Sequence, residues 1–234
     1  IVCLGESTTG GLWVDWKDSY PMQLEKKLRE FYNNQNICVI VPPHVGQNTS
    51  QMSKRIRHYI NLYNPQLIIL MAGINNGWSL SESNVVKFLN TTDKESLKIK
   101  FLVILNNFRL FKLLRYAYLR FIVKEKSDYI QQNRYSVFGF PELSRFPPEK
   151  WIYDFSNTHK ESFILMWRYD ITKIIREAKK NKVKLLLMAY HINTASYLPL
   201  EEFISLAVKE NIPLLRNDKK FDCLIKTCEY FLGL

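Results

Sequence analysis

The sequence predicts an α/β fold: a three-layer α/β/α sandwich built on a parallel five-stranded sheet in flavodoxin-like strand order. Short apolar segments alternate with amphipathic helical segments, which is typical of a parallel sheet with right-handed crossovers. Polar turns that contain glycine follow the first three apolar segments, where binding sites form in such sheets. The 234 residues are enough for a single domain, 1–234, with its own core.

The first half of the chain fits this alternation. Predicted strands lie at 1–4, 37–41 and 66–71, and predicted helices at 20–32 and 50–63. The third strand is apolar almost throughout, as expected for a strand covered on both faces. Ser19 is the predicted N-cap of the first helix, and Pro21 lies in its first turn.

A helical insertion at about 80–160 interrupts the alternation before it resumes. Beyond it we predict helices at 161–179, 199–209 and 221–231 and strands at 183–189 and 212–215. Within the insertion, Phe108 to Lys124 is amphipathic. One side of this stretch carries Leu110, Leu114, Ala117, Tyr118, Phe121 and Ile122, and the other carries Arg109, Lys112, Arg115, Arg120 and Lys124. It is interpreted as a helix packed on the domain, a lid over the site, or a helix that makes a peripheral membrane contact.

Composition restricts the partners. The chain has 33 Lys and Arg against 22 Asp and Glu, a net charge of +11. A solvated lysine-rich surface explains this balance, and we expect no nucleic acid partner because no basic run or nucleic-acid-binding motif occurs. No Cys-x-x-Cys pair or zinc-ligand spacing is present, so neither a metal nor a cofactor is expected. Localisation and oligomeric state do not follow from the sequence.

Three residues at predicted strand ends are candidates for catalysis. Ser7, in a turn of small residues after the first strand, is the candidate nucleophile. Attack on an ester carbonyl creates an oxyanion that needs N–H donors. The backbone N–H of Gly46 and the side-chain amide of Asn75 are candidate donors. Each residue also has a simpler explanation, as a turn serine, a turn glycine or an Asx-turn asparagine.

These residues resemble the sequence blocks of the GDSL/SGNH hydrolases. The family blocks are a Gly-Asp-Ser turn, a glycine, a Gly-x-Asn-Asp turn and a late Asp-x-x-His, and Ser7, Gly46 and Asn75 match the first three in order. The resemblance implies the SGNH hydrolase fold. It also implies an acyl-ester hydrolase or transferase that works through an acyl-serine, without a cofactor, on a small-molecule or glycan ester. Ser7 would attack, and the N–H groups of Ser7 and Gly46 would hold the oxyanion together with Asn75.

The chain departs from the family pattern at three points. Glu6 and Asn76 stand where the family usually has Asp, and no Asp-x-x-His occurs. The sequence starts within a predicted strand and stops after a helical segment, so we expect the missing motif just past Leu234. Serine without a base is a poor nucleophile. Two alternatives therefore stay open: a carbohydrate- or lipid-binding relative that has lost its base, and a basic peripheral binder of membrane or nucleic acid.

The four histidines are the other candidates for the base. His191 ends the fourth predicted strand, and His44 lies two residues before Gly46. His58 and His159 are expected at the surface or in helix packing.

Overall fold

A parallel sheet forms the centre of the fold in the computed structural model. Its strands are β1 (Val2–Gly5), β2 (Leu67–Met71), β3 (Lys184–Ala189) and β4 (Leu214–Arg216), in the spatial order β1-β2-β3-β4. The structure describes residues 1–11, 14–42, 46–77, 80, 82–90, 92–105, 108–111, 113–114, 117, 155–190 and 200–216. Four of the five predicted strands are thus confirmed within these residues.

Helices connect the strands at the predicted places. They are α1 (Tyr20–Tyr32), α2 (Thr49–Tyr63), α3 (Lys94–Leu105), α4 (Lys160–Lys180) and α5 (Leu200–Glu210), with single 3-10 turns at Trp16–Asp18, Ile74–Gly77 and Asn84–Lys87. The predictions for α1, α2, α4 and α5 are confirmed to within one residue at each end. The helix predicted at 221–231 lies outside the described residues.

The two sheet faces pack against different helices because successive side chains on a strand point to opposite sides. Leu4, Leu70 and Leu187 share a buried cluster with residues of α2, α4 and α5. Cys3, Ile69, Met71, Leu186 and Met188 share a second cluster with Leu24 and Leu28 of α1. Helices therefore cover both faces. The largest fully buried side chain is Trp167 of α4 among the described residues, and its indole N–H donates to the Ala72 carbonyl over 2.9 Å.

The segment predicted as the second strand forms only one isolated bridge. Ile40 pairs in parallel with Val2. Backbone bonds run from Cys3 N–H to Ile40 O (2.8 Å) and from Ile40 N–H to Ile1 O (2.9 Å). Pairing is short because Pro42 has no N–H to continue the ladder. The five-stranded sheet is accordingly not confirmed, although this segment lies beside β1, at the sheet edge opposite β4.

The helix N-caps differ from expectation. Ser19 occupies the N-cap of α1, but its side chain makes no capping bond there, because its hydroxyl donates to Trp16 O over 2.6 Å. Asn48 caps α2 in a reciprocal capping box with Gln51. The α2 N-terminus is therefore fixed by two side chains, next to the loop that contains Gly46.

The insertion is described in part. α3 packs Ile99 and Val103 into the core. In the amphipathic stretch, residues 109–111, 113, 114 and 117 are helical, and Leu110 and Leu114 of its predicted apolar side are exposed. Residues 118–154 lie outside the described residues, so a position over the site stays a prediction. No helix in the described parts is long and apolar enough to cross a membrane.

Candidate active site

The turns that follow β1 and β2 leave the sheet at the same edge. Gly5 and Met71, the last residues of the two strands, are paired in register. Ser7 is therefore two residues beyond β1, beside the turn that begins at Ala72. The serine is half-buried, and its turn is closed by a bond from Gly10 N–H to Glu6 O of 3.0 Å.

Gly5 permits this close approach. A Cβ at this position would lie 1.8 Å from Thr9 Oγ1 and 2.8 Å from the Met71 carbonyl oxygen. Both distances are far below van der Waals contact, so only glycine fits between the neighbouring strand and the folded-back turn. The lack of space for a side chain thus explains why the residue before Glu6 is glycine.

The buried Glu6 carboxylate joins the serine turn to the asparagine turn. It accepts hydrogen bonds from three consecutive backbone N–H groups, those of Gly73 (3.0 Å), Ile74 (3.0 Å) and Asn75 (2.9 Å). The Tyr190 hydroxyl at the end of β3 donates to the same carboxylate over 2.5 Å. Burial raises the pKa of Glu6 to about 7, and the four donors oppose this rise by favouring the charged form. The sequence showed a glutamate where the family usually has aspartate, but it did not predict these partners.

Asn75 connects the asparagine turn to the loop of Gly46. Its side-chain Nδ2 donates to the Gln47 carbonyl oxygen over 3.3 Å. A primary amide carries two N–H bonds, so this contact uses one of them. Gly46 has a φ of 78°, and nothing lies within 4 Å of the place where a Cβ would be. The glycine is thus required by its backbone conformation, and the space beside it is open.

Asn76 anchors the same turn to the start of α2. Its Oδ1 accepts from the Thr49 backbone N–H (2.9 Å) and lies 3.0 Å from the Thr49 hydroxyl. Thr49 N–H is one of the first-turn donors that a helix cannot satisfy internally. An aspartate oxygen could accept the same bonds, so the asparagine preserves the contact without burying a charge.

A second buried carboxylate lies behind this contact. Asp170 of α4 is surrounded by the hydroxyls of Thr49 (3.0 Å), Ser50 (2.6 Å) and Ser53 (3.1 Å) and by the Asn84 side-chain amide (2.6 Å). Burial raises the pKa of Asp170, against the effect of these four donors. The network links α4, the α2 N-terminus and the root of the insertion, and through Thr49 it reaches Asn76. The sequence analysis missed it.

The two described histidines lie in other surroundings. His58 is exposed on α2. His159 precedes α4, with its Nε2 3.6 Å from Asp93 and its ring packed on Phe155. Both positions agree with the expectation of surface or packing residues. His44 and His191 lie outside the described residues, as does Leu234, so the identity of the base is still a prediction.

Other features of the described residues lie away from these turns. A cavity of about 550 Å³ is lined by residues before β2 and β3, including Pro65, Gln66 and Lys182. This is the opposite end of the sheet from Ser7. No group of three or more His, Cys, Asp or Glu among the described residues could hold a metal ion.

Comparison with known proteins finds similar structures but no similar family. No family model and no curated protein matches the chain. Two mutants of the esterase AlinE4 are 16% and 17% identical, with TM-scores of 0.47 and 0.46, and each match covers 91% of this chain and 72% of that chain. The psychrotrophic esterase EstA from Pseudoalteromonas sp. is 11% identical, with a TM-score of 0.48, and the match covers 92% of this chain and 75% of the EstA chain. These similar structures are esterases.

Proposed function

We propose that this chain is a serine-dependent acyl-ester hydrolase of the GDSL/SGNH type, with Ser7 as its nucleophile. The observation that carries the proposal is the Glu6 carboxylate. Because it binds the backbone N–H groups of Gly73, Ile74 and Asn75, it keeps the asparagine turn beside the serine turn. A nucleophile and an oxyanion donor must be held together in this way for acyl transfer.

The reaction would take place in two steps. The Ser7 hydroxyl attacks the ester carbonyl carbon while its proton passes to a base, and the carbonyl oxygen becomes an oxyanion. The N–H groups of Ser7 and Gly46 and the second N–H of Asn75 stabilise that oxygen, each contributing about 3 kcal/mol. The protonated base gives its proton to the departing alcohol, which leaves an ester on Ser7. Water, deprotonated by the same base, then attacks the carbonyl carbon of that ester. The bond to Ser7 Oγ breaks, the base returns the proton to Oγ, and the acid leaves.

The base is proposed to be a histidine. The histidine of the expected Asp-x-x-His motif past Leu234 is the first candidate. His191, which follows Tyr190 in the sequence, and His44, close to Gly46, are the candidates within residues 1–234. General-base assistance contributes about 10²–10⁴-fold, so removal of the correct histidine is expected to lower turnover by that factor.

The fold that belongs to this function is the five-stranded SGNH sandwich. The Ile40 bridge to Val2 supports it. With segment 37–41 counted as a strand, the spatial order of strands in chain numbering is 2-1-3-4-5, which is the flavodoxin-like order. In that order the first and third strands are neighbours and carry Ser7 and Asn75 at their carboxyl ends, where a switch-point site is expected.

The test combines ester hydrolysis with covalent labelling. Hydrolysis of a short-chain aryl ester and labelling by a serine-directed phosphonate are measured for the wild type and three variants. Ser7→Ala is expected to abolish both signals. Asn75→Ala is expected to lower turnover by about 10²–10³-fold. Thr8→Ala, which changes the exposed neighbour of Ser7, is the matched control and should retain both.

The result also separates the alternatives. Labelling without turnover would indicate an activated Ser7 whose covalent adduct is not hydrolysed. If no ester is cleaved and no label reaches Ser7 even in a protein that carries the expected Asp-x-x-His motif, the hydrolase proposal is wrong. Binding of a carbohydrate or lipid by such an inert protein would then favour the non-catalytic relative.

A further inference from the structure

Helix α3 carries apolar side chains on two opposite sides. Ile99 and Val103 are buried in the core. Leu97, Phe101 and Ile104 are spaced by four and three residues, so they share one side of the helix. This second side is exposed, with 61% of Phe101 and 51% of Ile104 accessible to solvent. A helix that needs only to pack on its own domain has no use for a second apolar stripe.

Exposed apolar side chains also follow α3 in the sequence. Phe108, Leu110, Leu113 and Leu114 are all more than half exposed. Seven of the fifteen exposed large apolar side chains in the described parts of the chain thus lie between 97 and 114. Single exposed apolar residues are ordinary, whereas such a concentration indicates a surface with a binding role. We call residues 97, 101, 104, 108, 110, 113 and 114 the apolar patch.

Basic side chains flank the α3 part of the patch. At 100° per residue, Lys94 and Lys98 lie on one flank of the stripe and Lys100 lies on the other. Glu95 lies far from the stripe, and the Asp93 carboxylate is bonded to Ser96 at the start of the helix. Lysine can lay its apolar stem along such a surface and extend its ammonium to a charged layer above. The chemistry is that of a helix lying in the interface of an anionic bilayer.

We propose that the apolar patch is a lipid-contact surface through which the protein binds reversibly to anionic membranes. The lysine rim favours this occupant over a second copy of the chain, because two such rims would repel each other in a protein that already carries a net charge of +11. The proposal is independent of the hydrolase function. It also shifts the membrane contact, which was one of three interpretations of 108–124, to α3 and residues 108–114.

The experiment is co-sedimentation of the whole protein with lipid vesicles. Vesicles of phosphatidylcholine alone are compared with vesicles that also contain phosphatidylglycerol. We expect partitioning into the anionic vesicles to be about 10-fold stronger or more, and to weaken as salt is added. Two triple variants should each partition into anionic vesicles about 10-fold or more weakly than the wild type. The first carries Leu97→Gln, Phe101→Gln and Ile104→Gln, and the second carries Lys94→Gln, Lys98→Gln and Lys100→Gln. The double variant Leu62→Gln and Val208→Gln, which removes exposed apolar residues of α2 and α5, is the matched control and should bind like the wild type.

Each outcome decides the proposal. It is wrong if the wild type does not bind anionic vesicles, or if the α3 glutamine variant binds them equally well. It is also wrong if light scattering shows a dimer that the same variant dissociates, because a second copy would then cover the patch. Ser7→Ala should bind vesicles normally, so a failed esterase assay leaves this test intact.

Discussion

Replacement of Glu6 by glutamine is expected to remove one contribution to the pH dependence of stability. Burial raises the pKa of Glu6 from 4.5 to about 7, so the folded protein keeps this proton where the unfolded chain has lost it. Between these two pH values the folded state binds more protons, and the free energy of unfolding falls as pH rises. At 1.36 kcal/mol for each pKa unit, the rise from 4.5 to about 7 corresponds to about 3 kcal/mol.

The measurement is urea unfolding at several pH values between about 4.5 and 8, followed by tryptophan fluorescence, to which the buried Trp167 contributes. The free energy of unfolding of the wild type should exceed that of Glu6→Gln most at the acidic end, and this difference should shrink by about 3 kcal/mol toward the alkaline end. Glu30→Gln, on the exposed side of α1, is the control, and its free energy of unfolding should change with pH as that of the wild type does.

The opposite sign would refute the reasoning. Three backbone N–H groups and the Tyr190 hydroxyl favour a charged carboxylate. If these donors outweighed burial, the pKa of Glu6 would be lowered. The wild-type advantage would then grow as pH rises through the acidic range.

Substitutions at three further positions test the packing around the site by unfolding in urea. Asp170→Ala is expected to cost about 3–5 kcal/mol, because it leaves the Ser50 hydroxyl and the Asn84 amide without their buried acceptor, whereas the hydroxyls of Thr49 and Ser53 can still donate to Asn76 Oδ1 and the Ser50 carbonyl. Asp170→Asn should cost less, and an equal cost for both would contradict the role of the acceptor oxygens. Gly5→Ala should cost about 1–3 kcal/mol or more through the clash with Thr9 and Met71, and a stability equal to wild type would mean that the turn can move aside. Gly46→Ala should lower the free energy of unfolding by about 1–2 kcal/mol because of the positive φ alone. Gly46→Asn should lower it less, because asparagine adopts a positive φ more readily. A larger loss of stability with asparagine would indicate that the space beside residue 46 is what matters.

The local sequence pattern was sufficient to predict the helices and the central strands. Apolar residues at helical or strand spacing determined α1, α2, α4, α5 and β2, because burial of those residues is what stabilises each element. The order of the elements then put Ser7 and Asn75 at strand ends. Segment 37–41 was predicted as a strand, but only Ile40 forms a bridge, because Pro42 has no N–H to extend the pairing.

The contacts that build the site could not be predicted in the same way. The bond between Glu6 and Asn75 joins residues 69 positions apart, and Asp170 bonds to Ser50 across 120 positions. Such pairs depend on how elements approach in space. One signal was present for Asp170, which is a carboxylate among Phe163, Met166, Trp167, Ile171 and Ile174 on the apolar face of α4. A charge at a core position of a helix indicates a buried partner.

The Glu6 carboxylate also has a consequence for local motion. Backbone amides in loops usually exchange their hydrogens with water within a short time, because nothing in the fold protects them. Gly73, Ile74 and Asn75 lie beyond the end of β2, yet each donates to a carboxylate that is only 3% exposed. Their amides can exchange only when that carboxylate leaves its place, which also disturbs the residue before Ser7. The three loop amides should therefore exchange slowly and at a common rate, as one unit with the serine turn.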